Sequence, residues 1–329
     1  MLIAVIIPTR NRADLLAAAL GSLTRQTLAQ DRFEIVVVDN ASTDGTRAMA
    51  EEARELLPNL RYAYEPTPGL HHARHRGMNA TTAEVLVFAD DDIEALPTWL
   101  ESIESAFQDP EVAMAGGNNL PLFVERPPRW LLTLWRCNRF EEGLAFPPLS
   151  LLQLERGVGE ISPFYIWGCN FAIRRSDLLA AGGFHPDGMP RDQLALRGDG
   201  ETHVARQVML SGRKSIFHPG ASIYHKVTPE RATVDYFWQR GFTEGISHSY
   251  TRLRDPGQYA PFGRRRRIRA FAGRVANAIR PAALLQPMAL RALLALRFGY
   301  RAGFRFHQQA YSHSEEVRAW VHRPNYLHP

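Results

Sequence analysis

Four short apolar runs, each separated from the next by a helical pattern, constrain this chain more than any other feature. Ile3 to Ile7, Ile35 to Val38, Leu60 to Tyr64 and Val85 to Phe88 read as strands. An amphipathic stretch from Ala13 to Leu28 follows the first run. Asp44-Gly45-Thr46 caps a helix running to about Leu57 after the second, and a helix from His71 to Ala80 follows the third. Strands alternating with helices build parallel βαβ units, so the pattern predicts an α/β fold with a doubly wound, mostly parallel sheet. Such sheets bind ligands beyond the carboxyl ends of their strands. Thr9 follows the first run, Asp39 ends the second, and Asp90, Asp91 and Asp92 follow the fourth.

Three acids where an apolar run ends make poor packing material. They can hold a divalent cation against a diphosphate, because hard cations share oxygen ligands with phosphates. The alternative is a solvated turn whose first acid caps a helix near Thr98-Trp99-Leu100. No glycine-rich phosphate loop follows the first strand, so a metal is the natural replacement for that cradle. Asp39 can accept from a ribose diol or a base N–H; its alternative is an Asx turn over Asn40-Ala41-Ser42.

The middle of the chain, Asn118 to Pro163, is rich in Pro, Arg and aromatics and predicts a long irregular, substrate-side region. Strand character resumes from Phe164 to Ile173. A helix from Glu201 to Leu210 and strands near Ile216 and Ile223 close a first domain over residues 1–228. Residues 229–329 read as a basic helical C-terminal region, with a polar linker from Arg252 to Arg267. Residues 1–225 carry 21 Lys+Arg against 28 Asp+Glu, whereas residues 226–329 carry 18 against 6. That division implies two jobs.

Cys137 and Cys169 are the only cysteines, so the chain has no disulfide framework and a cytoplasmic location is expected. Its start reads as a buried first strand rather than a signal peptide. The basic run Arg264-Arg265-Arg266-Arg267-Ile268-Arg269 precedes amphipathic segments such as Ala282 to Leu296, and the charge-free run Pro281 to Leu290 is too short to span a bilayer. Basic residues beside such segments suit an anionic membrane surface on the inner face of the membrane. The alternative is an ordinary helical extension. Nucleic acid is not an expected partner, since no recognised binding motif accompanies the arginines.

Four motifs together, Pro8-Thr9-Arg10-Asn11-Arg12, Val38-Asp39-Asn40-Ala41-Ser42-Thr43-Asp44-Gly45-Thr46, Gly69-Leu70-x-x-Ala73-Arg74-x-x-Gly77 and Phe88-Ala89-Asp90-Asp91-Asp92, resemble the family 2 glycosyltransferases over roughly residues 1–250. The resemblance implies a GT-A fold and a nucleotide-diphosphate-sugar donor, most simply a UDP-sugar. It implies that Pro8, Thr9, Arg10 and Asp39 line the nucleotide pocket, with Arg74 near the base or phosphates. Asp90 then approaches the ribose with Asp91 beside it, and Asp92 binds Mn²⁺ or Mg²⁺. An inverting transfer to an acceptor hydroxyl needs a base. In Arg197-Gly198-Asp199-Gly200-Glu201-Thr202 the resemblance puts that base at Glu201, with Asp199 as the alternative because the local pattern departs from the common one.

Trp167-Gly168-Cys169-Asn170 matches the family's segment near the sugar and acceptor, Trp167 supplying a stacking face or a core residue. His225 is a candidate late metal ligand. Cys169 reads as a small buried residue, and His71-His72-x-x-His75, with no acid between its histidines, as a solvated helix rather than a zinc site. The acceptor implied is a saccharide or lipid-linked molecule of polysaccharide or glycolipid synthesis. The rival reading is a non-catalytic nucleotide-sugar sensor or assembly factor at the membrane surface.

Overall fold

The structure is a computed structural model that describes residues 1–255 and 286–327. Strands β1 (Ile3–Thr9), β2 (Phe33–Asp39), β3 (Leu60–Tyr64) and β4 (Val85–Ala89) lie side by side in the order β4-β1-β2-β3, all parallel. They are joined by α1 (Ala13–Leu23), α2 (Thr46–Ala53) and α3 (Leu70–Asn79). Every residue of β1, β2 and β4 is buried, as a sheet covered on both faces requires. Ile3, Val5 and Ile7 pack in one core with α1 and with α4 (Trp99–Ala106), reached through the short β5 (Ile93–Ala95). Ala4 and Ile6 point the other way, into a core shared with α3. The α2 start is held as its sequence predicts, with the Asp44 carboxylate accepting from the Thr46 N–H at 3.1 Å.

Beyond β4 the sheet becomes mixed. β6 (Val112–Gly116) neighbours β12 (Asn170–Arg174), which runs antiparallel to both β4 and β6, and β13 (Lys214–Phe217) lies parallel on the far side of β6. The region 118–163 is not the irregular stretch its composition suggests. It forms β7 (Asn119–Phe123), α5 (Arg129–Cys137), β8 (Arg139–Phe140), β9 (Gly143–Phe146), β10 (Leu151–Leu154) and β11 (Gly159–Glu160). The first five strands of a second sheet, in the order β5-β14-β7-β10-β9, come largely from it, with β14 (Ile223–Val227) inserted between β5 and β7. Pro128 starts α5 rather than breaking it, and Trp130, Leu131, Leu134 and Trp135 form its buried face.

α6 (Arg175–Ala180) and α7 (Glu201–Ser211) complete the α/β part. The remaining described residues form α8 (Val234–Arg254), α9 (Pro287–His313) and α10 (Glu315–Val321). α8 and α9 run parallel and very close. Gly241 and Gly245 face the carbonyls of Leu296 and Tyr300, while Gly299 and Gly303 face those of Trp238 and Phe242, and a Cβ at any of the four would overlap them. The pair is rooted in the second sheet, where Phe237, Ala289 and Ala292 share a core with Trp130, Leu131, Phe146 and Val227. The run Arg264 to Arg269 and the start of the Ala282–Leu296 segment lie outside the described residues. No described helix is long and apolar enough to cross a membrane.

The chain's last described residues fold back under α3. Trp320 donates from Nε1 to the Leu196 carbonyl at 2.7 Å, Arg254 donates to the carbonyls of Val321 and Arg323 at 2.6 and 2.7 Å, and the Tyr250 and Tyr326 hydroxyls meet at 2.8 Å. This closure buries His71 and His75, so the solvated-helix reading of that motif is corrected: Trp320 and Tyr326 cover His71 edge-on, and Phe184 lies against His75.

Candidate active site

Register alone gathers the acidic residues. Thr9 pairs with Asp39 across β1 and β2, Asn170 sits opposite Ala89, and His225 sits opposite Ile93. All therefore reach the carboxyl edge of β4, where Asp90, Asp91 and Asp92 follow. A cavity of about 250 Å³ opens there, lined by Pro8, Thr9, Arg10, Arg12, Asn40, Leu70, Ala73, Asp90, Asp91 and Gly188.

Asp91 and Asp92 are buried, Asp90 is half-buried, and the triplet is heavily compensated. Thr9 donates from its hydroxyl to Asp91 at 2.8 Å. Arg12 straddles two acids, reaching Asp91 at 2.5 Å and Asp92 at 3.0 Å. Arg231 approaches Asp92 at 3.4 Å and the His225 Nε2 at 3.3 Å. Burial pushes the Asp91 carboxyl up to about 7, against the pull of Arg12. Burial and the charge of Asp92 push Asp90 up as well. Burial also opposes the charge on Asp92, yet His225 close by and the Arg12 and Arg231 charges hold its carboxyl below the usual range.

This corner fits a hard divalent cation. The His225 Nδ1 lies 3.0 Å from the Leu149 carbonyl, which can only accept, so Nδ1 carries the hydrogen and Nε2 faces the acids. Nε2 is 3.3 Å from Asp92 Oδ1, a buried oxygen with no hydrogen-bond partner among the described residues. Nε2 can accept from Arg231, whereas Asp92 Oδ1 keeps free lone pairs that a proton on Nε2 or a cation would engage. Ligand atoms of Asp90, Cys169 and His225 also lie within 4.8 Å of one another. Burial pushes the Cys169 thiol well up, which leaves the oxygens and the imidazole as the better ligands.

Asp39 is buried with both oxygens engaged: Oδ1 accepts from the Ser42 N–H at 2.8 Å and Oδ2 from the Tyr62 hydroxyl at 2.7 Å. The first contact is the Asx turn that the sequence leaves open. The neighbouring Asn40 lines the cavity and ties three segments, accepting from Gly69 N–H at 2.9 Å and donating to the Glu65 and Thr67 carbonyls.

Glu201 opens α7, behind Gly200 at φ 52°. Its carboxylate meets the buried Arg74 guanidinium at 3.3 Å and the Gly168 N–H at 3.4 Å, and its side chain remains 27% exposed. Burial opposes the Arg74 charge, but Glu201, Asp90 and Asp187 together raise its pKa. Gly168 is required by that guanidinium, since a Cβ would overlap Arg74 Nη2. Asp199 occupies a different environment. Buried to 7% exposure, it takes His185 at 2.7 Å, Thr251 at 2.8 Å and Arg206 at 3.3 Å. Burial opposes its charge, but His185 and Arg206 hold its carboxyl below the usual range.

A cleft of about 470 Å³ faces Glu201, walled by Pro163, Phe164, Tyr165, Trp167, Thr202, Arg240 and Glu244 among others. Trp167 packs partly on the core, donates to the Phe164 carbonyl at 2.9 Å and presents the rest of its ring to the cleft. The Asn170 amide is committed elsewhere, accepting from Trp99 Nε1 at 2.9 Å and donating to the Ala221 carbonyl at 3.0 Å. It braces the sheet edge.

Sequence reasoning missed Arg12, Asn40, Arg231 and Arg240 as site residues. Arg12 and Asn40 lie inside the quoted motifs, so a signal existed. Arg231 carries none, because it meets Asp92 across 139 residues of sequence, and Arg240 joins the cleft wall only through the placement of α8.

The comparisons follow this geometry. A family model described as glycosyl transferase family 2 matches residues 4–179. Validoxylamine A glucosyltransferase of Streptomyces hygroscopicus subsp. jinggangensis is 28% identical over 201 residues, 56% of this chain and 47% of that relative's length. Succinoglycan biosynthesis protein ExoM of Rhizobium meliloti is 25% identical over 237 residues, covering 71% of this chain and 70% of that protein. Among solved structures, mannosyltransferase PcManGT from Pyrobaculum calidifontis, in complex with GDP-Man and Mn²⁺, superimposes with a TM-score of 0.55 at 22% identity, over 97% of this chain and 82% of that one. At that identity the superposition supports the fold alone, which is the GT-A type of α/β fold. A family match over more than half the chain, on a sheet whose strand ends carry the four motifs, places this protein in glycosyl transferase family 2.

Proposed function

We propose that this chain transfers a sugar from a nucleotide-diphosphate donor, of the UDP class, to an acceptor hydroxyl with inversion at the anomeric carbon. The carrying observation is Arg74, buried with its guanidinium 3.3 Å from Glu201 at the aromatic cleft and within electrostatic reach of Asp90 at the donor-side cavity. The cavity lined by Pro8, Thr9, Arg10 and Asn40 takes the nucleotide, and Asp39 holds its wall through the Ser42 turn. Asp92 and His225, with Asp90, would hold Mn²⁺ or Mg²⁺, whose charge stabilises a departing diphosphate. Glu201 is the base: its carboxylate takes the acceptor's hydroxyl proton while that oxygen bonds the anomeric carbon, and the anomeric C–O bond breaks with its electron pair leaving on the diphosphate. Arg74 and the Gly168 N–H orient the carboxylate, Asp199 positions the loop before it, and Trp167 offers the acceptor sugar a stacking face. A saccharide or lipid-linked acceptor suits the cleft.

Calorimetry with UDP- and GDP-sugars, with and without Mn²⁺, tests the donor site, and nucleotide release tests turnover. Glu201→Gln should lower kcat by about 10²–10⁴-fold with donor Kd unchanged. Undiminished transfer by that variant would remove Glu201 from the role. Tight donor binding without turnover on any acceptor pool supports the sensor alternative instead.

A further inference from the structure

The α8–α9 pair carries an outward face that nothing in the proposed chemistry uses. Arg291, Leu294, Phe298, Arg301 and Arg305 follow one another along α9 at three- and four-residue steps, so they share one stripe. All five are exposed, Leu294 to 40% and Phe298 to 56%. The apolar part continues onto α8, where Trp238, 41% exposed, stacks on Phe242 at 5.2 Å and Phe242 lies 5.5 Å from Phe306. The glycines that bring the two helices together have turned these large side chains outward.

The charge on α9 is one-sided. It carries Arg291, Arg297, Arg301 and Arg305 and no acid, while the acids of the neighbouring α8 are Asp235 and Glu244. A face of this kind opposed to its own copy would set arginine against arginine, so self-association is disfavoured. Duplex nucleic acid would satisfy the guanidiniums but leave Leu294 and Phe298 without apolar partners. A bilayer with anionic headgroups satisfies both: arginines remain at the phosphates while Leu, Phe and Trp enter the acyl boundary.

We infer that the α9 stripe, with Trp238 of α8, is a docking surface for an anionic lipid bilayer. The inference stands apart from sugar transfer, because its residues lie outside both cavities and its test reads binding alone.

The test is flotation of the full chain with vesicles of phosphatidylcholine alone or mixed with phosphatidylglycerol, at low and high salt. The parent protein should float with the mixed vesicles only, and less at high salt. At about fivefold per arginine near the surface, Arg301→Gln with Arg305→Gln should weaken partitioning about 30-fold. Leu294→Ser with Phe298→Ser should leave only a weak, fully salt-sensitive attachment. All four are surface positions, and unchanged melting shows that the variants fold. The inference is overturned if both double variants float like the parent, if the parent binds phosphatidylcholine equally well, or if it binds duplex DNA and neither vesicle.

Discussion

Arg74 shows how much one side chain determines here. It is buried, lies 5.0 Å over the Phe184 ring, and has Glu201 as its only hydrogen-bonded carboxylate among the described residues. Breaking a buried pair by removing one partner leaves an uncompensated charge, so neighbours of Arg74 should be intolerant of change. Gly168→Ala tests this without touching either charge. The added methyl must displace the guanidinium and crowd the Glu201 carboxylate, so Glu201 loses its Arg74 restraint. We expect kcat to fall at least tenfold while donor Kd changes by less than about twofold, a misplacement effect rather than lost binding. Parental kcat in that variant would mean that Arg74 does not orient the base. The sequence shows Gly168 only as part of a motif; the reason it is glycine is a guanidinium contributed by α3, nearly a hundred residues earlier.

At the scale of elements, legibility follows the range of the interactions. β1 to β4 and α3 are visible in the sequence to within a residue or two, because periodicity and capping are local. The acids at strand ends are legible for the same reason. The second sheet is not: β8, β9 and β10 are two to four residues long, and the apolar residues they pack against are distant in sequence, so Pro-rich composition masks them. The histidines of α3 mislead in the same way, since what buries them is the far end of the chain. The α8–α9 contact, by contrast, is written as two pairs of glycines four apart. Gly303→Ala should therefore overpack the pair and cost about 1–3 kcal/mol, read as a lower urea midpoint, while an Ala at the exposed Arg301 should leave stability within about 0.5 kcal/mol. Equal midpoints for Gly303→Ala and the parent would show that the helices can separate freely.

For the whole molecule, the buried histidines couple stability to pH. Burial lowers His75 to about 4 and His203 to about 3, and it lowers His71 and His185 as well. In the unfolded chain these rings take a proton near pH 6.5. Their neutral burial therefore contributes fully above that pH and is lost as the pH falls toward the folded values. At pH 5 the cost is about 2 kcal/mol for each of His71, His75 and His203 taken singly. Urea midpoints should drop between pH 7 and pH 5, and His71→Phe should flatten that slope. A midpoint independent of pH over this interval would contradict neutral burial.

The closure made by Trp320, Arg254 and Tyr326 has a consequence for synthesis. Chains fold from the amino end as they emerge, so the strands carrying the acid triplet can assemble early. The segment around Leu196, which leads into Glu201, lacks its Trp320 anchor until residues 315–327 have left the ribosome. A partly made polypeptide can thus assemble the edge that carries the acid triplet while the segment leading into Glu201 still lacks its anchor, and that anchor arrives only with residues 315–327.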